Sequence, residues 1–224
     1  MFSVEIGEIM KEHPYKKLDF TEEDLKINKL FVSSRYSITS LIDCENLYSF
    51  SKENNFSFFN ICVAAIYKTI ESIPELRTFI LYGEGREYEH VNIVLPLINE
   101  DTTVENICIE SIDNFKSFKE WNDFLQDIKS NPENYQYIYG PESQNHVYAI
   151  LSCIPWIHYT DFNDMTLPSD NFVPVVHWGK YENGKIPVTL SVNHVFVFGY
   201  HLGLFFNRLS EYMEKPDSIF QNIY

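Results

Sequence analysis

A histidine at the end of a strand can be held by the sheet while its ring faces a cleft, and His194 stands in such a place. It sits in the run Ser191-Val192-Asn193-His194-Val195-Phe196-Val197-Phe198-Gly199-Tyr200-His201, after apolar alternation and before a turn and a helix. An imidazole with a pKa of about 6.5 can take a proton from a hydroxyl near neutral pH. The same letters also describe a hydrogen-bonded core histidine. Ser152, in Ile150-Leu151-Ser152-Cys153-Ile154-Pro155-Trp156, ends an apolar strand before a Pro-Trp corner. Its hydroxyl can donate to an oxyanion, or simply cap a turn. Cys153 has no basic neighbour in sequence to lower its pKa and reads as a small buried thiol. In the segment from Asn171 to Tyr181, Lys180 and Tyr181 suit a phosphate and a flat ring, or a solvated strand end. His177 and His194 fall on strands expected to pair, which raises zinc. No third ligand stands at a suitable spacing, so no metal is expected.

These residues need a scaffold. Residues 55–73 form an apolar stretch closed by Pro74 and predict a largely buried helix. Alternation over 78–82, the turn formers Gly83-Glu84-Gly85 and the run 88–98 predict a β-hairpin, with a further strand at 102–110. In 115–129, Phe118, Trp121, Leu125 and Ile128 recur three or four apart, giving one apolar helix face. Residues 131–145 read as loop. Strands are then expected at 147–151, 156–159, 172–181 and 186–193, the last two joined by Asn183-Gly184, a strong hairpin signal. From Gly199 the spacing turns helical through Leu202, Phe205, Phe206, Leu209, Tyr212 and Met213. Strands and helices mix without regular βαβ alternation. The fold class expected is α/β, a two-layer sandwich of a mixed or antiparallel sheet with helices on one side, in a single domain over 1–224.

The 224 residues are 45% hydrophobic and 16% aromatic, enough for a packed core and too apolar for a disordered chain. Thirty-two acidic against 17 basic residues give a formal net charge of -15, which disfavours nucleic acid and anionic membrane surfaces as partners. Four scattered cysteines and the lack of a basic flank before an apolar run at the N-terminus point to the cytoplasm. Residues 186–207 carry no Asp, Glu, Lys or Arg. They do contain Pro187, Asn193, His194, Gly199, His201 and Gly203, so a buried strand leading into a helix fits better than a membrane span.

Taken in order, several segments resemble the chloramphenicol acetyltransferase family. They are Tyr36-Ser37-Ile38-Thr39 before Ile42-Asp43, the helix over 58–72, Pro74-Glu75-Leu76-Arg77, Ser152-x-x-Pro155-Trp156, Phe172-x-Pro174-Val175, Gly179-Lys180-Tyr181 and the His194 block through His201. The resemblance runs from about residue 30 to 213. It implies a homotrimer with sites between subunits, acetyl-CoA as co-substrate with no bound cofactor, and a small apolar alcohol such as chloramphenicol as acceptor, an antibiotic-resistance activity. By resemblance His194 is the general base and Ser152 the oxyanion donor. Lys180 and Tyr181 lie beside coenzyme A, and Tyr36, Phe162 and Trp156 line the acceptor channel.

The chain also departs from the family. The family motif reads His-x-x-x-Asp-Gly, and here Phe198 takes the place of the Asp. The arginine that pairs with that Asp is missing from 20–31, leaving Arg35 as the only arginine before Arg77. Loss of both partners avoids an uncompensated buried charge. Two expectations follow: an active enzyme with the brace rebuilt from Phe198 packing, or a catalytically impaired homologue that binds a small apolar ligand or coenzyme A. Asn193 replaces the family's first histidine, and His177 stands where the family usually has a threonine that helps hydrate the transition state. A second titratable ring there could change acceptor preference or pH dependence.

Overall fold

The computed structural model describes residues 13–19, 34–98, 104–109, 111–135, 147–164 and 172–220. The 20–31 stretch and the 1–12 terminus lie outside these residues, as does most of the expected loop at 131–145. Among the described residues are strands β1 (Tyr15–Lys17), β2 (Arg35–Asp43), β3 (Thr78–Leu81), β4 (Glu84–Tyr88), β5 (Asn92–Ile98), β6 (Val104–Ile109), β7 (Tyr148–Ile154), β8 (Val175–Gly179) and β9 (Lys185–Asn193). The helices are α1 (Glu45–Glu53), α2 (Phe58–Glu71), α3 (Phe118–Ser130) and α4 (Gly199–Glu214).

Apolar residues all round α2 dictate its place. Ile61 through Tyr67 are fully buried, so α2 is the centre of the helical layer, with α1, α3 and α4 against it. Ser57 precedes α2, and Pro74 opens a short 3-10 turn just beyond it. The expected amphipathic helix is α3. The Ser117 hydroxyl accepts from the Glu120 N–H, and Glu120 reaches back to the Lys116 N–H. Phe118, Trp121, Leu125 and Ile128 are all buried, as their spacing requires.

The main sheet has the order β2-β9-β8-β7-β5-β6, with β5-β7 and β7-β8 parallel and the other pairs antiparallel. A second sheet has the order β1-β4-β3. The α/β class with a mixed sheet and a helical layer is therefore as expected. Two local expectations fail. The 78–98 hairpin is shorter than anticipated: it turns at Tyr82 and Gly83, both at positive φ, and returns only as β4. The run 88–98 is then cut, because the chain leaves the small sheet after Tyr88 and enters the large one at Asn92. Glu71, at the end of α2, pins that crossing by accepting from the Val91 N–H at 2.9 Å and bonding His90 Nδ1 at 2.6 Å. Residues 156–159 also form no strand; they belong to the crossover between parallel strands β7 and β8. The expected turn at Asn183-Gly184 is present, with φ of 51° and 80° and a bridge between Glu182 and Lys185.

Strand alternation separates two faces of the main sheet. Leu151, Val176, Val188 and Leu190 are buried, and Trp178 meets Phe59 of α2 at 5.6 Å between centroids. The opposite face carries one row across four strands: Thr39, Thr189, His177 and Ser152, in consecutive register. The β7-β8 crossover lies over this row. It can do so because residue 179 is glycine: a Cβ there would stand 2.6 Å from the Ile157 carbonyl and 2.7 Å from Pro187 Cγ.

Candidate active site

His194 follows the last residue of β9, and its backbone N–H donates to Ser34 O at 2.9 Å. Asn193 fixes the turn from both sides, donating to Ser34 Oγ at 2.8 Å and accepting from the Val195 N–H at 2.9 Å. The His194 ring is exposed and lies between two aromatic rings, Tyr36 at 5.2 Å and Phe198 at 5.1 Å, the latter nearly perpendicular. Tyr36 is itself tied down, since its hydroxyl donates to Val197 O at 2.8 Å. Arg35 stiffens the same end of the sheet, donating to Ser191 O and Oγ and, at 2.6 Å, to Val173 O.

Phe198 precedes α4 and is 48% exposed, so it is not part of the core. Phe198 presses on the His194 ring instead. Its backbone N–H donates to His201 Nδ1 at 3.0 Å, and His201 Nε2 lies 3.5 Å from Glu75 Oε1. Accepting at Nδ1 leaves the ring proton on Nε2, facing the carboxylate. The start of α4, and Phe198 with it, is thus linked to the Pro74–Arg77 turn. Arg35, His201 and Glu75 were not anticipated as parts of this end. Glu75 and His201 stand in segments that resemble the family, and Arg35 is the first arginine of the chain, but no sequence signal joins the three.

Ser152 lies near the C-terminal end of β7, half-buried, and its hydroxyl carries no hydrogen bond among the described residues. Its register partner is His177, whose ring stacks on Phe162 at 4.1 Å and points Nε2 at Asp164 Oδ1, 3.5 Å away. The Tyr159 hydroxyl donates to His177 O at 2.9 Å and accepts from Thr189 Oγ1 at 3.3 Å, anchoring the crossover above the row. Burial pushes the Tyr159 phenol up to about 12, so it stays a donor at neutral pH. Trp156, just past β7, is 68% exposed. Asp164 and Tyr159 were missed because nothing in a coil segment announces which strand it will cross.

Cys153 points the other way, toward the helices. Burial raises its thiol to about 12, so it is no thiolate nucleophile. Lys180 is exposed after β8, while Tyr181 stacks on Tyr48 at 4.2 Å and donates to Glu45 Oε2 at 2.6 Å. That bond, the larger effect, together with partial burial lifts the Tyr181 phenol to about 12. His177 and His194 do not meet: the strands do pair, but His177 lies opposite Thr189, five residues before His194. Among the described residues one histidine–carboxylate group, Glu71, His90 and Asp113, has ligand atoms close together. There His90 and Lys68 already pair with the two carboxylates. No described helix is long and apolar enough to cross a membrane.

The expected catalytic pair is therefore split. Two strand spacings across, from β7 to β9, and five residues along β9 put the Ser152 and His194 Cα atoms roughly 19 Å apart, beyond the reach of their side chains. Ser152, Phe162 and Trp156 gather toward one end of the sheet, with Lys180 and Tyr181 following β8 there. His194 and Tyr36 stand at the other.

The family model for chloramphenicol acetyltransferase matches residues 17–210. A Staphylococcus aureus chloramphenicol acetyltransferase is 31% identical over 192 residues, 81% of this chain and 86% of that protein. An Escherichia coli chloramphenicol acetyltransferase is 26% identical over 186 residues, 80% and 83% of the two chains. A solved chloramphenicol acetyltransferase structure shares the fold with a TM-score of 0.72 at 20% identity, covering 88% of this chain and 100% of that one. The fold extends to an Azotobacter vinelandii dihydrolipoamide acetyltransferase, with a TM-score of 0.64 at 14% identity over 89% of each chain. Matched over most of its length, this chain belongs to the chloramphenicol acetyltransferase family and is an acyltransferase.

Proposed function

We propose that the protein transfers the acetyl group of acetyl-CoA to a hydroxyl of chloramphenicol or a similar small alcohol, in sites formed between copies of the chain in a cytoplasmic homotrimer. The observation that carries this reading is the separation of Ser152 from His194. Each end of the sheet holds half of what acyl transfer needs, and a neighbouring copy supplies the other half.

An alcohol is a weak nucleophile until its proton is removed. His194 takes that proton, and the oxygen attacks the thioester carbonyl, forming a C–O bond. The tetrahedral oxyanion accepts a hydrogen bond from Ser152 of the adjoining subunit in a site shielded from water. Collapse breaks the C–S bond, and the leaving thiolate takes the proton back from His194. No covalent enzyme intermediate is required. Lys180 and Tyr181 border the coenzyme A path at the Ser152 end, with the Tyr181 ring fixed by Tyr48 and Glu45. Phe162 and Trp156 from one chain and Tyr36 from its neighbour enclose the acceptor.

The alternative, an impaired homologue that only binds ligand, rests on the absent Asp. What supports catalysis is that His194 is nevertheless held, by Tyr36 on one side and Phe198 on the other. The test is coenzyme A thiol release from acetyl-CoA, with and without chloramphenicol, in wild type and His194→Ala. Release that needs both chloramphenicol and His194 is expected. Ligand-dependent thermal stabilisation without release would favour the binding protein.

A further inference from the structure

Glu71, His90 and Asp113 come from three separate elements: the last turn of α2, the crossing from β4 to β5, and the 3-10 turn Ile112–Asn114 that precedes α3. Their side chains nevertheless meet. His90 Nδ1 is 2.6 Å from Glu71 Oε2 and 3.9 Å from Asp113 Oδ2, and one ligand atom from each residue lies within 4.8 Å of the other two. Each carboxylate is braced through its other oxygen. Glu71 Oε1 accepts from the Val91 N–H at 2.9 Å, and Asp113 Oδ1 accepts from Lys68 Nζ at 2.5 Å. The Asp113 N–H donates to Ser111 Oγ at 3.2 Å, which fixes the turn. Such backing is what orients the ligands of metal sites.

The charges also suit a cation. The Glu71 side chain is only 6% exposed, and the His90 ring is its direct partner. Arg77, a further cation nearby, is turned to the carbonyls of Tyr88 and Glu89. Tetrahedral zinc, with bonds of about 2.1 Å, spaces its ligands ~3.4 Å apart. The two separations from Nδ1 fall on either side of that value.

We propose that Glu71, His90 and Asp113 bind a divalent transition-metal ion of the zinc kind, with water completing the coordination. The ion takes the place of the proton between His90 Nδ1 and Glu71 Oε2, and that proton leaves to solvent. An imidazole beside two carboxylates selects zinc or cobalt over magnesium and calcium, which take oxygen ligands. Bound there, the ion ties the end of α2 to the crossing between the two sheets and to the lead-in of α3. None of the three residues has a part in the acyl transfer proposed above, so the inference does not depend on it.

The test is calorimetric titration of chelator-stripped protein with zinc chloride, beside melting curves, in wild type, His90→Gln, Asp113→Asn and, to control for the exposed imidazole, His194→Ala. Wild type and His194→Ala should bind one zinc per chain, and Tm should rise by about 5–10 °C at zinc a hundredfold above Kd. His90→Gln and Asp113→Asn should bind at least about tenfold more weakly and lose most of that rise. Glutamine can still donate to Glu71, and asparagine can still accept from Lys68, so both variants are expected to fold without zinc. Should either fail to fold, cobalt decides. Its visible bands must then appear in wild type, persist in His194→Ala and come without a sulfur-to-cobalt band in the near ultraviolet. The inference is overturned if wild type binds no zinc, if both variants bind it undiminished, if His194→Ala loses it, or if cobalt reports a sulfur ligand.

Discussion

The two ends of the main sheet solve opposite problems. At the His194 end the imidazole stands in the open, and its orientation comes from what flanks it: Tyr36 from β2, Phe198 at the start of α4, and a turn stitched by Asn193 and Ser34. At the Ser152 end the strand face is roofed by the crossover, and polar groups are withdrawn from water. On the roles proposed above, an exposed base and a recessed donor are each incomplete alone, and the proposal joins the protruding half of one copy to the receiving half of another.

The sharpest way to break this comparison is to remove one reacting group from each end. His194→Ala should cost about 10²–10⁴-fold in acetyl transfer, the usual contribution of a general base, with Tm nearly unchanged because the ring is exposed. Ser152→Ala should cost about 10²–10³-fold, as loss of an oxyanion donor does elsewhere, and Ser152→Cys less. Steady-state rates beside melting curves would check both. A large loss of Tm in His194→Ala would mean that the ring supports the fold.

The roof can be lifted separately. Gly179→Ala places a methyl against the Ile157 carbonyl and Pro187, so it should destabilise by about 1–3 kcal/mol in urea unfolding. Activity should fall with it as residues 157–164 shift off His177 and Ser152. Full stability in this variant would show that the crossover is not held where it lies.

At the open end, His201→Ala removes the acceptor for the Phe198 N–H, a capping loss of about 1 kcal/mol. If His201 positions His194 through Phe198, kcat falls and the pH–rate profile shifts while the KM for acetyl-CoA stays put. His201→Asn, which keeps a short side-chain acceptor at the helix start, should restore much of kcat. Equal changes in both variants, confined to Tm, would leave His201 with a structural part only.

The smallest effect lies far from either end. Glu71 holds the His90 imidazole above its usual pKa, chiefly through their direct bond. A raised folded pKa stabilises fully below the unfolded value and fades as pH rises through the folded one. Wild type should therefore lose slightly more stability than His90→Gln between about pH 6 and pH 8. Parallel curves would show that this bond adds nothing to folding.

The sequence declared some of these features more clearly than others. The helical spacing of 115–129, the apolar run of 55–73 and Asn183-Gly184 are local signals, and each became the element expected. The splitting of 88–98 between two sheets was hidden because Glu71, which pins the crossing, is about 20 residues away in the chain. The run 156–159 has strand-like letters but lies on a sheet instead of joining it, and only Gly179 hints at that. For the site, the strand ends singled out His194 and Ser152, and the roles proposed for them come from family likeness. Neither could reveal that Phe198 stays exposed against His194, or that Asp164 and Phe162 fold back onto His177.

The central claim is that Ser152 and His194 act across a boundary between copies, and subunit mixing tests it. His194→Ala and Ser152→Ala, each inactive, would be unfolded together in equal amounts, refolded and assayed for coenzyme A release from acetyl-CoA with chloramphenicol. Random reassembly pairs an intact His194 with an intact Ser152 in about a quarter of the interfaces, so about a quarter of the wild-type rate should return. If the mixture stays as inactive as its parents while refolded wild type recovers, the two residues do not complete one another's site.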